Sequence, residues 1–300
     1  MKTPLTVLRL AYGLFKFEHQ QIFFPFIIIV FINLVVLEIL YFLPRYPLSI
    51  FFTPIISRIW GEEYLHYPMY MMLLPKLFYY SQIVIYLFLS SILSVVIVDM
   101  VADINNEKKV NFKTSLQKSL HGYIYIVLYS LISLLLFQVF DKAYGLLLHR
   151  AFQIHSTAGS HFWIKKFVFY TAPYAQLIYG IFVTASLIYI PVLIVLEKKK
   201  FLGALIGNFK VLFRSFWLTF TLVLVPTLFY LPILLMRDNI GSLTEMTSPE
   251  IKVLVIALSV FVVTGINICI VTATTTYYLY KRENLEGLIS NKAIKVTATN

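Results

Sequence analysis

Six long apolar stretches, separated by shorter polar segments, dominate the pattern of this 300-residue chain. About 20 apolar residues in a helix cross the 30 Å hydrocarbon core of a bilayer, where each backbone polar group must bond within the segment. The stretches predict transmembrane helices at 22–43, 77–99, 123–140, 167–196, 215–236 and 253–280. The fold class is therefore all-α, a polytopic membrane protein with kinks expected at Pro173, Pro191, Pro226 and Pro232.

A shorter amphipathic pattern precedes each odd-numbered stretch. Apolar residues recur there at helical spacing, and the basic residues lie off that face: Arg9, Lys16, Lys113, Lys118, Lys210 and Arg214. Such a helix lies along charged headgroups with its apolar side in the membrane. The unit of interfacial helix plus transmembrane hairpin is predicted three times, at about 3–109, 110–198 and 199–285. The alternative is that three unrelated segments simply carry flanking lysines.

The distribution of basic residues predicts the orientation. Six spans place both termini on one side, and 16 of the 25 lysines and arginines fall on that side. Under the positive-inside rule both termini face the cytoplasm. We therefore expect a multi-pass protein of the inner (plasma) membrane, with a single domain over residues 1–285 and a short cytoplasmic tail at 286–300.

Composition agrees with a membrane location. The chain is 59% hydrophobic and 13% charged, whereas globular proteins carry about 25% charged residues. The net charge is +11, and the basic residues flank the apolar stretches. This placement predicts contacts with anionic headgroups, worth about 1 kcal/mol per basic residue. It predicts no nucleic-acid partner. The single cysteine, Cys269, excludes an intramolecular disulfide and a cysteine-based zinc site.

Two segments carry a family resemblance. They are GALIGNFKVLFRSFWLTFTLVLVP at 203–226 and TATTTYYLYKRENLEGL at 272–288. The layout resembles the six-helix membrane domain that precedes the catalytic barrel of some bacterial glycerophosphodiester phosphodiesterases, and uncharacterised bacterial membrane proteins with the same repeated unit. That barrel would need about 200 or more further residues. The resemblance therefore implies a membrane module and supplies no active site.

Carboxylates within the spans are functional candidates, because a charge at the bilayer centre costs at least about 2.5–3.5 kcal/mol. Asp99 and Asp103 lie one turn apart, so they share a face at the cytoplasmic end of the second span. They either form a cation or proton site or pair with Lys108, Lys109 or the next amphipathic helix, and pairing is favoured. Glu38 lies near the outer end of the first span and is the better intramembrane candidate, although a structural role is favoured there too.

Neutral polar residues also occur within the spans, Gln176 and Asn267 among them. Such groups either join helices through hydrogen bonds, worth about 0.6 kcal/mol on average, or line a transport pathway. Packing is the favoured interpretation. The apolar segment 44–76 is interrupted by prolines, so it is predicted to lie on the outer leaflet or to re-enter the membrane, and it is the first place to seek a substrate vestibule.

No signature of an enzyme or of a cofactor site is present. The chain contains no phosphate-binding glycine loop, no G-x-S-x-G and no H-E-x-x-H. His149, His155 and His161 are spaced by six residues, which does not align them on one helix face for zinc. We therefore expect neither enzymatic activity nor a metal or cofactor.

Two functions follow from these patterns. The leading hypothesis is a non-enzymatic scaffold, assembly partner or membrane-organising module, with lipids and either a protein partner or a second copy of the chain as its contacts. The alternative is a transporter or lipid-handling permease with a pathway between the repeat units. A water-accessible cavity would favour the second hypothesis.

Overall fold

A computed structural model describes residues 4–13, 21–152 and 160–297, and within these ranges the regular structure is helical, with no strand. The α-helices are α1 Pro4–Gly13, α2 Phe24–Phe42, α3 Ser49–Trp60, α4 Met69–Ile85, α5 Ser91–Asn105, α6 Phe112–Leu120, α7 Tyr123–Phe152, α8 Ser160–Leu187, α9 Tyr189–Leu196, α10 Phe201–Arg214, α11 Phe216–Thr227, α12 Leu231–Asp238, α13 Ile240–Met246 and α14 Ile251–Thr297. A π-helical turn, Tyr86–Ser90, joins α4 to α5.

Six helical segments of the described chain are long and apolar enough to cross a membrane, which confirms the all-α, six-span prediction. They are Gln21–Phe42, Met69–Asn105, Tyr123–Ala151, Tyr174–Leu196, Phe216–Asp238 and Ile251–Arg282. We call them spans one to six. The second begins earlier than predicted because the apolar residues before Pro75 belong to the helix, with Leu73 and Leu74 buried. The third extends past 140 because its helix continues without a break.

Breaks in the spans lie near Pro191 and between Pro226 and Pro232, as predicted, whereas α8 continues through Pro173 without a break. Proline has no N–H to donate and crowds the carbonyl four residues before it. The fourth span breaks at Ile188, three residues before Pro191, where α8 gives way to α9. The fifth passes through a 3₁₀ turn, Leu228–Tyr230, directly after Pro226. The fourth and fifth spans are therefore each built from two α-helices.

The second and fourth spans and the later part of the sixth form the interior of the bundle. Helices α5, α9 and α14 contact one another, while α2 packs between α5 and α14, α7 packs against α5 and α9, and α11 packs between α8 and α14. Burial follows this arrangement, since α5 is buried from Ser91 to Val101 with the single exception of Ser94, and α9 from Tyr189 to Ile194. The odd-numbered spans are peripheral.

All three predicted amphipathic segments contain helices, and each packs on an even-numbered span: α1 on α14, α6 on α5 and α10 on α9. Contact between α10 and α9 is close because residue 207 is glycine; a Cβ atom there would lie 3.0 Å from Cδ1 of Leu193. Helices α6 and α10 lie near one end of the bundle, which we call the α10 end. The opposite end, which carries α3, we call the α3 end.

Helix α1 lies at a different depth along the bundle from α6 and α10. Its residues Leu8 and Arg9 line an apolar cavity together with Pro226 and Phe261, which lie near the middle of the fifth and sixth spans. The three amphipathic helices thus share a type of partner without sharing one depth along the bundle.

The segment after the first span contains α3 and a 3₁₀ turn, Glu62–Leu65. Gly61 separates them with φ of +105°, a conformation that glycine adopts without steric cost. Helix α3 buries Ile56 and exposes Phe51, Ile55 and Ile59 in one stripe. Its exposed apolar stripe fits the predicted surface-lying element. At the other terminus, α14 continues through the predicted tail as far as Thr297.

Candidate functional site

A cavity of about 400 Å³ lies inside the bundle between the second, third, fourth and sixth spans. We call it the central cavity. Its wall is rich in hydroxyl and amide groups: Tyr79, Gln82, Tyr86, Ser90, Ser91, Ser94, Tyr129, Ser130, Ser133, Asp141, Thr184, Asn267 and Thr274. The remaining lining residues are apolar, and Asp141 is the only carboxylate of the described lining.

The serines of the wall leave their oxygen lone pairs available. Ser91 and Ser94 donate to the carbonyls of Leu87 and Ser90, each at 2.7 Å. A serine hydroxyl has one donor and two acceptor sites, so a donation to the preceding turn uses only the donor. The wall therefore presents mainly acceptors from its serines, together with the amide of Asn267, which can donate as well as accept.

The π-helical turn contributes directly to this wall. Tyr86 and Ser90, its first and last residues, both line the central cavity. The Tyr86 hydroxyl lies 3.4 Å from the Ser133 hydroxyl across the cavity wall. Single π-helical turns are found frequently at functional sites. The irregularity therefore lies in the wall of the central cavity.

Two further cavities adjoin the central one. The first, of about 450 Å³, shares Tyr79 and Gln82 with it and extends between α2, α4 and α14; we call it the lateral groove. The second, of about 280 Å³, shares Thr184 and Asn267 with the central cavity and Arg237 with the lateral groove. The lateral groove and the smallest cavity lie toward the α3 end, whereas the lining of the central cavity extends past the middle of the bundle to Val98 and Thr274.

All three cavities reach the α3 end of the bundle. Asp141, Gln176 and Arg237 lie at that end and are exposed. At the opposite end the space beyond Val98 and Thr274 is filled by a core cluster that includes Leu193 and Tyr277. The central cavity therefore reaches exposed residues at the α3 end and borders a buried core cluster toward the α10 end.

Of the five intramembrane candidates from the sequence, two line these cavities. Gln176 and Asn267 both line the smallest one, and Asn267 also lines the central cavity. The Gln176 side-chain amide lies 3.5 Å from Oδ1 of Asp141. Glu38 is exposed on α2 and is absent from the lining of the cavities described above.

Asp99 and Asp103 lie at the α10 end, where they meet the next amphipathic helix. The Lys118 amine on α6 is 3.1 Å from Oδ2 of Asp99 and 3.6 Å from Oδ2 of Asp103. The sequence allowed either a cation or proton site or an ion pair with a basic residue, and this geometry is that of an ion pair. Partial burial alone would lower the pKa of Lys118, but the hydrogen bond and charge of Asp99, with those of Asp103, raise it above its usual value.

The other basic candidates do not form a common site. Lys113, Lys210 and Arg214 are exposed on α6 and α10. Arg9 lines the apolar cavity beside α1. Lys16 lies outside the described residues, as does His155 of the histidine trio. Within the described ranges, no three histidine, cysteine or acidic side chains lie close enough together to hold a metal ion.

A buried polar network that the sequence interpretation missed holds the break in the fourth span. Asn208 of α10 accepts from the Tyr189 backbone N–H at 3.1 Å and donates to the Ser186 carbonyl at 2.7 Å. The Tyr189 hydroxyl is 2.8 Å from the Thr219 hydroxyl of α11. The available signal was spacing, since Asn208 falls on the face of α10 that also carries Phe201, Ala204 and Leu212, all buried.

A second polar link closes the α10 end. Glu197, just after α9, accepts hydrogen bonds from Tyr278 of α14 and from Lys199. Partial burial alone would raise the pKa of Glu197, but the hydrogen bonds from Lys199 and Tyr278 and the charges of Lys199 and Arg282 lower it below its usual value. The carboxylate is thus held ionised where the fourth and sixth spans meet.

Comparison with models of protein families, with curated proteins and with solved structures found no match. The resemblance to the membrane domain of glycerophosphodiester phosphodiesterases stays a prediction, and no residue role is transferred from it. The candidate site therefore rests on the cavities themselves.

Proposed function

We propose that this protein is a transporter or lipid-handling permease that binds its substrate in the central cavity. One observation carries the proposal: a cavity of about 400 Å³, whose wall carries hydroxyl and amide groups, lies among six apolar spans. Of the two functions that the sequence left open, this cavity favours the second.

The chemistry of the wall supports a binding role. A polar group in hydrocarbon without a hydrogen-bond partner costs several kcal/mol. Ser94 and Ser133 each take part in one hydrogen bond and keep free acceptor sites, and both line the cavity together with Asn267. Water or a polar solute in that space would satisfy them. Substrate specificity would come from the acceptor-rich serine wall and the two amides, Gln82 and Asn267.

The proposal includes an orientation and a symmetry. With both termini in the cytoplasm, the α3 end faces outward, and the bundle is closed toward the cytoplasm. Three units of amphipathic helix plus hairpin would be related by an axis along the membrane normal, as in parallel repeats. The packing of each amphipathic helix on an even-numbered span supports this repeat, from which α1 departs in its depth along the bundle. Movement of one unit against the others would open the closed end.

Replacing Asn267 with leucine should abolish flux through the protein. The substitution removes the amide that lines both the central and the smallest cavity and puts an apolar group of similar size in its place. Proteoliposomes would be loaded with a deproteinised extract of small metabolites in one arm and would contain a fluorescent phosphatidylglycerol in another. We expect release or flipping by the wild type and a loss of roughly tenfold or more in the variant.

The matched control is Asn239→Leu. Asn239 is exposed, and its amide donates only to the Leu235 carbonyl of its own helix, so flux should persist in that variant. Wild-type liposomes that show no flux above protein-free liposomes in either arm would contradict the proposed function. Equal flux in wild type and Asn267→Leu would remove the central cavity from the pathway.

A scaffold or assembly role is the second candidate. The observation that favours it is the third span, of whose most apolar window only 17% is buried, against 61% for the fourth. Leu131, Leu135 and Val139 are exposed there in one stripe. A partner or a second copy of the chain would cover this surface in place of lipid. Crosslinking in native membranes that never yields a dimer or a stoichiometric partner would contradict this role.

A further inference from the structure

The lateral groove is elongated along the bundle. On α14 its lining residues recur every three or four positions and so form one face: Lys252, Val255, Ile256, Ser259, Val260, Val263 and Thr264. Twelve residues separate the first from the last, and at 1.5 Å per residue the groove runs for about 18 Å. The facing wall comes from α4, through Met72, Pro75, Phe78, Tyr79 and Gln82. The groove therefore reaches from the α3 end to the middle of the bundle.

Two cations from different helices stand at its mouth. Lys252 is in the first turn of α14 and Arg237 in the last turn of α12, and both line the groove. Arg237 donates to the Tyr230 hydroxyl at 2.8 Å, and neither cation forms an ion pair among the residues that the structure describes. Asp238 and Glu250 are close in sequence but are not part of the groove wall. The mouth is thus a positive site without a carboxylate in its lining.

Below the mouth the groove becomes apolar and then ends on amides. Its middle is walled by Phe78, Val255 and Val260, all buried. Its deep end carries Gln82, which donates to the side-chain oxygen of Asn33. A volume of about 450 Å³, mostly apolar walls and a few placed polar groups are typical of a small-molecule site.

We propose that the lateral groove binds an anionic amphiphile, with its charged head between Arg237 and Lys252 and its alkyl chain along the apolar walls. The proposal rests on the proposed function, whose substrate class it names. A head group alone would use the two cations but leave the walls empty, whereas an alkyl chain would also pack along them. Carboxylate and phosphate heads share this chemistry, so a fatty acid and a lysophospholipid are the two sources to separate.

Binding would be measured by native mass spectrometry on protein in nanodiscs of zwitterionic phosphatidylcholine. The probes are dodecanoate, lysophosphatidylglycerol, inorganic phosphate and the neutral dodecanol. We expect one of the two anionic amphiphiles to bind, and which of them binds identifies the source. Arg237→Gln with Lys252→Gln should weaken that binding roughly tenfold or more and leave dodecanol unchanged.

Two further variants separate the head site from the chain site. Val260→Trp should block the groove and weaken the amphiphile without touching either cation. Lys113→Gln, which removes an exposed cation on α6, is the matched control and should bind as the wild type does. Inorganic phosphate that binds as tightly as the amphiphile, or an amphiphile that binds the double variant as well as the wild type, would overturn the proposal.

The outcome is independent of the flux experiment. Metabolite or lipid flux that depends on Asn267, without binding of either anionic amphiphile, would overturn the groove assignment and leave the proposed function standing. Binding that depends on Arg237 and Lys252, without any flux, would support the groove assignment as a lipid site and contradict the transporter.

Discussion

Replacing Asn208 with leucine is expected to lower the free energy of unfolding by about 2–6 kcal/mol, the largest effect of any single substitution considered. The side chain is fully buried and bonds the Ser186 carbonyl and the Tyr189 N–H at the break in the fourth span. Leucine has similar volume but cannot bond either group, and each buried group left without a partner costs about 1–3 kcal/mol. Unfolding in mixed micelles of a mild detergent and dodecyl sulfate would measure the change.

Asn239→Leu serves as the control here as well, because it changes the same residue type at an exposed position. Its effect should stay within about 0.5 kcal/mol. If Asn208→Leu were as stable as the wild type, the network between α8, α9 and α10 would not hold the break.

Replacing Lys118 with methionine should cost about 1–3 kcal/mol. The change leaves Asp99 and Asp103, whose side chains are only 12% and 14% exposed, one turn apart without a counter-ion. Breaking a fully buried pair costs about 3–5 kcal/mol; the Lys118 side chain is 54% exposed, which reduces the effect through solvent screening. The same unfolding assay applies.

A double-mutant cycle tests the pairing itself. Adding Asp99→Asn and Asp103→Asn to Lys118→Met should recover part of the lost stability, because the two uncompensated charges are then removed. Lys113→Met on the same helix should have little effect, since Lys113 is exposed and forms none of the described ion pairs. Additive effects of the Lys118 and aspartate substitutions would show that these residues do not interact.

The spans were predictable from sequence because the free-energy cost of placing polar groups in the hydrocarbon core applies to each segment separately. A run of apolar residues with helix length is sufficient to identify a span, and all six were found this way. The break near Pro191 followed from the missing backbone N–H. The errors were at the ends, as at Met69, where helices continue past the part needed to cross a bilayer.

The candidate site was predictable only in part, because lining a cavity depends on which helices are neighbours. Gln176 and Asn267 were recognised as polar residues within spans, yet nothing in their own segments shows that they line one cavity. Glu38 stood out by its charge but lies exposed on the bundle surface. Asn208 was missed since a single asparagine on an amphipathic helix has no local sign of the broken backbone that it bonds.

The depth of α1 along the bundle could not be predicted from its sequence either. Its amphipathic pattern matches those of α6 and α10, but Arg9 lies beside the middle of the fifth and sixth spans. A hydrophobic stripe specifies that a helix buries one side, and the surface that it covers depends on the neighbouring helices.

The account depends on a water-filled cavity that opens at the α3 end of a membrane-spanning bundle. Single cysteines would be introduced at Asn267, in the cavity, and at Leu258, exposed on α14 outside the described cavities, after Cys269→Ala removes the native thiol. A membrane-impermeant maleimide needs a hydrated thiolate to react. Asn267→Cys should be labelled from outside intact cells and not from inside, while Leu258→Cys should stay unlabelled from both sides. Equal labelling of Asn267→Cys from both sides, or none from either, would contradict the account.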